Sequence, residues 1–179
     1  MQGFRKILVG VDLSHGDRLA ASELNAPTCE AVKRAIWLAA QSSAELTFLA
    51  TLDISAHTEE VLQELEHSMR TVEDEALSVL HEIVDQAKKE GVEARVKLLH
   101  GRSWEGIIKE VIKENHDLVV IGTRDQNRAS RLLFGSTGMR LLRNCPCPVW
   151  ATKPDPNWDD LNILIASDFS DVSPMAIEV

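Results

Sequence analysis

Residues 7–12 read Ile-Leu-Val-Gly-Val-Asp, and this run decides the fold class of the chain. The run has no helical period and polar residues flank it, which is typical of a strand buried on both faces. Residues 46–52 and 118–121 form two more apolar runs of the same kind. Strands buried on both faces occur in parallel sheets, where crossover connections place helices on each side. The sequence therefore predicts an α/β fold with a parallel sheet.

Helical periodicity fills the segments between these strands. Apolar residues recur at intervals of three or four in four segments, which are residues 28–43, 61–87, 103–116 and 136–142. We predict Thr28 and Ser103 as N-caps and Gly91 as the stop of the second helix. Residues 92–98 alternate between apolar and polar, which predicts an edge strand with one wet face, and residues 148–152 supply a fifth strand. In such a sheet, ligands bind at the carboxyl ends of the strands.

Composition restricts the class of protein. The 179 residues are 44% apolar and 26% charged, which excludes a disordered or fibrous chain. The net charge of −9 argues against nucleic acid as a partner. No apolar run approaches the roughly 20 residues that cross a bilayer, and the first residues lack a signal-peptide pattern. We therefore expect no membrane partner and a cytoplasmic location.

The charges are unevenly distributed along the chain. Residues 57–90 hold ten acidic and three basic residues, which we interpret as the outward face of the second helix. Residues 122–143 hold five arginines against the single acidic residue Asp125. A basic segment in an acidic protein indicates a small anionic ligand rather than a polyanion.

The three cysteines are Cys29, Cys145 and Cys147. An odd number in a chain without a secretory signal favours reduced thiols over a disulfide framework. Chelating cysteine pairs usually have two to four residues between them, whereas Cys145 and Cys147 have one proline. No metal site is predicted.

An internal repeat divides the chain. Residues 163–170, Ile-Leu-Ile-Ala-Ser-Asp-Phe-Ser, echo residues 7–14, Ile-Leu-Val-Gly-Val-Asp-Leu-Ser. A Pro- and Asp-rich segment precedes the second copy. We therefore predict a domain over residues 1–154, a linker over 155–162 and the first strand of a truncated second domain over 163–179.

These residues resemble the universal stress protein family over about residues 5–154. The nucleotide motif of that family is Gly, two residues, Gly, nine residues, Gly, and then Ser or Thr. Here the motif reads Gly122-Thr-Arg-Asp125, nine residues, and then Gly135-Ser136. The resemblance implies a Rossmann-like fold of the adenine nucleotide alpha-hydrolase type, with a five-stranded sheet of order 3-2-1-4-5 and helices on both faces. With the repeat, it also implies the tandem, two-domain subgroup of the family.

The resemblance implies an ATP site as well. Glycines let the backbone approach phosphates closely, and N–H groups at a helix start bind their oxygens. In ATP-binding relatives, the aspartate after strand 1 contacts the ribose and the backbone near the end of strand 2 contacts the base. By position these roles fall to Asp12 and Thr51. The motif and the basic segment supply the other nucleotide-binding candidates, which are Gly122, Arg124, Gly135, Ser136 and Thr137. Mg²⁺ would accompany ATP, and no separate metal ligand is predicted.

Two departures from the family pattern leave other functions open. Asp125 replaces the middle glycine, and two unit charges about 4 Å apart repel by roughly 4 kcal/mol at an effective dielectric near 20. The loop at residues 15–27 is also longer than the usual strand 1 connection. The alternatives are a nucleotide-binding stress-response domain, an interaction module with a degenerate site, and a binder of another anionic or amphipathic ligand. No catalytic residue is predicted, since no triad, carboxylate pair or P-loop lysine is present, and at most weak ATP hydrolysis stays open.

The fifth strand is the edge through which domains of this family pair. Val149 and Trp150 supply an apolar strand suited to that contact. An uncovered apolar edge promotes aggregation, so we expect a second copy or another strand to cover it. Self-association through strand 5 and coverage by the C-terminal strand at residues 163–166 are the two alternatives.

Overall fold

A computed structural model describes residues 3–13, 24–52, 66–123 and 135–154, with the side chains of residues 66–69 left aside. Within these ranges, five strands alternate with four helices, as predicted. The elements are β1 (Lys6–Val11), α1 (Ala26–Ser42), β2 (Glu45–Leu52), α2 (Glu66–Lys89), β3 (Ala94–His100), α3 (Ser103–Glu114), β4 (Leu118–Gly122), α4 (Ser136–Asn144) and β5 (Val149–Thr152).

The strands form a single parallel sheet of order β3-β2-β1-β4-β5. This order confirms the predicted fold class and places β3 at an edge, as its alternating pattern predicted. Because β1 connects to β2 on one side and lies beside β4 on the other, strand order reverses between β1 and β4. Ligand sites in open α/β sheets form at such a switch point.

Both faces of the sheet are buried, which explains the apolar runs. Residues Ile7 and Val9 of β1 face one cluster with α1 and α2, while Leu8 faces a second cluster with α3 and α4. These three side chains have no exposed surface. Period-two alternation within a strand therefore sends apolar side chains to opposite cores rather than to one core and to solvent.

Two helices begin differently from the prediction. Helix α1 begins at Ala26, and its N-cap is Asn25, whose Oδ1 accepts a hydrogen bond from the Thr28 N–H at 2.9 Å. Helix α3 begins at Ser103, so Ser103 is its first residue and not its cap. In both cases the predicted cap lies inside the helix, because hydroxyl residues are common at caps and within first turns alike.

Several predictions fall on residues outside those described. They are residues 15–23 of the predicted loop, Arg124 and Asp125 of the motif, the linker at 155–162 and the repeat at 163–179. The loop was predicted to end at residue 27, but α1 begins at Ala26, so the loop is shorter by two residues. Among the described residues, no helix is long and apolar enough to span a bilayer.

Candidate functional site

The strand register brings three predicted site residues to one end of the sheet. Val11 of β1 pairs with Ala50 of β2, and Gly10 pairs with Ile121 of β4. Asp12, Thr51 and Gly122 each follow these paired residues by one position. They therefore lie together at the carboxyl ends of three adjacent strands, across the switch point. Asp12 is exposed there.

Gly122 is the point where α1 meets the sheet. A Cβ built on Gly122 would lie 2.5 Å from the carbonyl oxygen of Pro27 and 2.6 Å from its carbonyl carbon. Real Cβ atoms do not approach backbone atoms this closely, so only glycine fits here. The first turn of α1 is thus packed directly against the end of β4.

A hydrogen bond fixes the end of β2. The Thr51 and Ser103 hydroxyl oxygens lie 2.6 Å apart, which joins β2 to the first residue of α3. Gly106 in the same helix lets α3 approach, since a Cβ there would lie 3.2 Å from the Thr51 Cγ2. Thr51 is half-buried, and its side chain is engaged in this contact. Its backbone is the part that the resemblance assigns to a base.

The end of β4 is held on its other side by β5. The Thr123 N–H donates to the Thr152 carbonyl at 2.8 Å, and the buried Thr152 hydroxyl donates to the Ile121 carbonyl at 3.2 Å. The backbone on either side of Gly122, the first glycine of the motif, is therefore hydrogen-bonded to β5.

The start of α4 supplies the anion-binding feature of the site. Gly135 is the N-cap, no side chain caps this end, and the first turn has no acidic residue. The Gly135 carbonyl accepts the first helical hydrogen bond, from the Met139 N–H. The N–H groups of the first turn, including those of the exposed Ser136 and the half-buried Thr137, precede that bond. A helix start of this kind favours a negatively charged oxygen.

The described residues fit a phosphorylated ligand at this end of the sheet. Gly122 leaves bare backbone at the end of β4, no side chain caps the start of α4 at Gly135, and Asp12 is an exposed hydrogen-bond acceptor. Arg124 lies outside the described residues. Within the described ranges, no cluster of three or more His, Cys, Asp or Glu side chains could hold a metal ion.

Sequence reasoning did not assign Pro27, Ser103 and Thr152 to this site, although they shape this end of the sheet. Each acts through a partner distant in sequence, such as the pair Thr51 and Ser103. Only the strand order and the helix positions bring such partners together. The sequence carried no local pattern that would identify them.

A separate polar cluster lies beneath α3, toward the amino ends of the strands. Arg95 Nε donates to Thr47 Oγ1 at 3.0 Å, and His116 Nε2 lies 3.1 Å from the same oxygen. Lys97 Nζ lies 3.6 Å from an oxygen of Glu110, whose side chain is buried. Lys97 lies on the predicted wet face of β3. Arg95 stays exposed on that face, and Lys97 is partly covered by its contact with Glu110 of α3. Burial lowers the pKa of His116, and the nearby Arg95 and Lys6 cations act in the same direction.

Residues 3–153 match the family described as the Universal stress protein family. Universal stress protein E of Photorhabdus laumondii is 28% identical over 171 residues, which cover 93% of this chain and 51% of that protein. Universal stress protein E of Escherichia coli strain K12 is 29% identical over 178 residues, which cover 97% of this chain and 53% of that protein. The chain thus spans about half the length of the curated relatives it matches.

Solved structures share the fold. Universal stress protein UspA from Lactobacillus plantarum superposes with a TM-score of 0.66 at 22% identity, covering 83% of this chain and 97% of that chain. A family protein from Arabidopsis thaliana with AMP bound gives 0.62 at 20% identity, covering 86% and 94%. A universal stress protein in complex with cAMP gives 0.57 at 21% identity, covering 84% and 98%. At these identities the likeness shows the fold.

Proposed function

We propose that this chain, which belongs to the universal stress protein family, acts in stress response by binding an adenine nucleotide. One observation carries the proposal, which is the convergence of Asp12, Thr51 and Gly122 on three adjacent strand ends. Two structures with this fold are described with AMP and with cAMP, which supports adenine nucleotides as the ligand class. ATP is the member of this class that the motif spacing favours.

Each residue has a distinct part in the proposed site. The Asp12 carboxylate accepts hydrogen bonds from the ribose hydroxyls, and the backbone at Thr51 contacts the base. The N–H groups at Gly135, Ser136 and Thr137 hold phosphate oxygens at the start of α4, and Arg124 adds a positive charge. Mg²⁺ accompanies ATP and shields its phosphate charges. The role of this chain is to bind and orient the nucleotide.

Asp125 favours a second candidate function. Its carboxylate stands where the motif has its middle glycine, close in sequence to the phosphate-binding positions. Repulsion between this charge and the phosphates would leave a domain that acts through protein association alone, or that binds a different anionic or amphipathic ligand. The same binding experiment separates these functions.

Isothermal titration calorimetry of the full chain with ATP, AMP and cAMP tests the proposal. We expect saturable micromolar binding that Gly135→Val abolishes, because a branched side chain crowds the start of α4. Asp125→Gly should tighten ATP binding at least tenfold and AMP binding less, since the repulsion grows with phosphate charge. Glu82→Gln, on the exposed face of α2, is the control and should bind as wild type does.

The contrary results are equally specific. No saturable heat with any of the three nucleotides, for the wild type and for Asp125→Gly alike, excludes the nucleotide function. Binding by Asp125→Gly alone identifies the natural chain as the degenerate form and supports the interaction module.

The half-length match supports a further part of the proposal. The chain spans about half of its curated relatives, and residues 163–170 repeat the first strand. We therefore propose a tandem arrangement, in which β5 associates with a second domain of the same type.

A further inference from the structure

A pair of thiols lies between α4 and β5, outside the proposed nucleotide site. Cys145 Sγ and Cys147 Sγ are 3.7 Å apart and share a hydrogen bond. Both side chains are half-buried, and neither is in a disulfide. We propose that Cys145 and Cys147 form a redox-active dithiol that a hydroperoxide oxidises to an intramolecular disulfide, with Cys145 as the attacking thiol and Cys147 as the resolving thiol.

The two sulfur atoms are in van der Waals contact, with no atom between them. A disulfide bond is about 2.05 Å long, so the two atoms must approach by about 1.7 Å. Flanking backbone hydrogen bonds hold the pair in place. The Cys145 N–H donates to the Leu141 carbonyl at 2.8 Å, and the Pro148 carbonyl accepts from the Val119 N–H at 3.0 Å. To form the bond, the two cysteine side chains and the Cys-Pro-Cys backbone between these two hydrogen bonds must therefore move.

The two thiols are chemically different. The hydrogen bond from Cys147 lowers the pKa of Cys145 to about 7, although burial opposes this. The same interaction with Cys145 raises the pKa of Cys147, and burial adds to that effect. At pH 7 a larger fraction of Cys145 is then thiolate than the about 3% of an ordinary cysteine. Thiolates are the nucleophiles that attack peroxides, so Cys145 reacts first.

The reaction balances in two steps. The Cys145 thiolate attacks one oxygen of the hydroperoxide, forming an S–O bond and breaking the O–O bond. The hydroxide or alkoxide that leaves takes a proton from solvent, and Cys145 becomes a sulfenic acid. Cys147 sulfur then attacks Cys145 sulfur, forming the S–S bond and breaking the S–O bond. Water leaves with the Cys147 proton, so the dithiol has lost two electrons to the peroxide.

The order of the steps follows from the contacts. The Cys145 thiolate is itself a cause of the raised pKa of Cys147, through its hydrogen bond and its charge. Oxidation of Cys145 removes that negative charge, which makes Cys147 easier to deprotonate. The first step therefore activates the thiol that performs the second. Because the pair is half-buried, small hydroperoxides suit it better than large disulfide substrates.

Thiol mapping on the full chain tests this proposal without any nucleotide. Reduced protein at pH 7 is treated with one equivalent of hydrogen peroxide, quenched with acid, denatured and alkylated with N-ethylmaleimide. We expect loss of two alkylatable thiols per chain, so that the chain carries one N-ethylmaleimide adduct in place of three. The unalkylated chain should be lighter by two hydrogens, with the disulfide within residues 145–147. Dithiothreitol should restore both thiols. Cys29→Ser is the matched control and should give the same disulfide.

Two variants test the assigned order. Cys147→Ser should stop at the sulfenic acid of Cys145, which dimedone traps. Cys145→Ser should react with peroxide at least about tenfold more slowly, because Cys147 without its partner resembles an ordinary cysteine, about 3% thiolate at pH 7, and burial raises its pKa further. Wild-type Cys145 should also react with iodoacetamide with a midpoint near pH 7.

Three results would overturn the proposal. The first is wild-type protein in which Cys145 and Cys147 stay alkylatable while peroxide oxidises added free cysteine. The second is a disulfide between chains in place of one within the chain. The third is equal peroxide reactivity of Cys145→Ser and Cys147→Ser. Wild-type mapping alone decides the first two, so the test stands even where a variant fails to fold.

Discussion

At the residue scale, Gly122 meets two requirements at the end of β4. It is the first glycine of the motif, and it lies against the backbone of Pro27 at the start of α1. Packing alone therefore explains a glycine at this position. The argument for a nucleotide rests instead on the convergence of the strand ends and on the start of α4, which no side chain caps.

The packing role of Gly122 predicts a large loss of stability on substitution. Gly122→Ala should lower the free energy of unfolding by about 3 kcal/mol, because its Cβ would overlap backbone atoms that cannot move singly. Gly91→Ala is the comparison, since a Cβ there meets nothing within 4 Å and only the positive φ of 74° opposes it. That variant should lose about 1 kcal/mol, as measured by urea unfolding. Equal losses would show that the contact with Pro27 relaxes at little cost and does not require Gly122.

His116 predicts how stability depends on pH. Thr47 accepts a hydrogen bond from Arg95, so its hydroxyl hydrogen can go to His116 Nε2, which suits the neutral ring. Burial lowers the pKa of His116 below its ordinary value of 6.5 in the folded state. Below pH 6.5 the unfolded chain therefore takes up a proton that the folded chain does not, and unfolding becomes easier. This contribution is fully present above pH 6.5 and is lost as the pH falls through the folded pKa.

Urea unfolding between pH 8 and pH 5 measures this effect. We expect the wild-type free energy of unfolding to fall more steeply below pH 6.5 than that of His116→Gln. His81→Gln, on the exposed face of α2, should keep the wild-type slope. The interpretation fails where His116→Gln retains that slope as well.

At the scale of elements, the sequence predicted the buried strands and helices, but it missed the helix caps and the polar contacts between residues distant in sequence. The apolar runs of β1, β2 and β4 are visible because each strand has a core on both faces. The strand order came from the family resemblance, since apolar patterns alone do not order strands. The cap of α1 was missed because Asn25 and Thr28 are both good cap residues, and only the geometry chooses between them. The cluster around His116 was missed because its partner Thr47 is 69 residues away.

The link between β2 and α3 gives a prediction at this scale. Ser103→Ala should lower the free energy of unfolding by about 1 kcal/mol, because it leaves the half-buried Thr51 hydroxyl without this partner. Ser78→Ala, at an exposed position of α2, should change it by less than about 0.5 kcal/mol. Urea unfolding compares the two. A loss for Ser103→Ala no larger than for Ser78→Ala would mean that water replaces the hydrogen bond at no cost.

At the scale of the whole molecule, the open edge at β5 connects the fold to the proposed association. Pro148 and Thr152 direct their carbonyls to β4. In a parallel ladder, backbone groups alternate in direction along a strand, so those of Val149 and Ala151 point away from β4. They form the outer edge of the sheet in the described part of the chain. A second strand can extend the sheet there through main-chain hydrogen bonds.

Ala151→Pro tests this edge, since proline removes an outward N–H and leaves the bonds to β4 intact. We expect the wild type to form dimers in sedimentation velocity at micromolar concentrations, and Ala151→Pro to weaken dimerisation at least tenfold. Leu98→Pro makes the matched change on the outer edge of β3. The Glu93 carbonyl accepts from the Leu46 N–H of β2, so the odd-numbered residues of β3 direct their backbone groups to β2. The even-numbered residues, including Leu98, therefore direct theirs outward. That variant should dimerise as the wild type does.

A monomeric wild type that dimerises once residues 155–179 are removed would show that the C-terminal repeat covers β5. Equal dimerisation of the wild type and both variants would place the association on another surface.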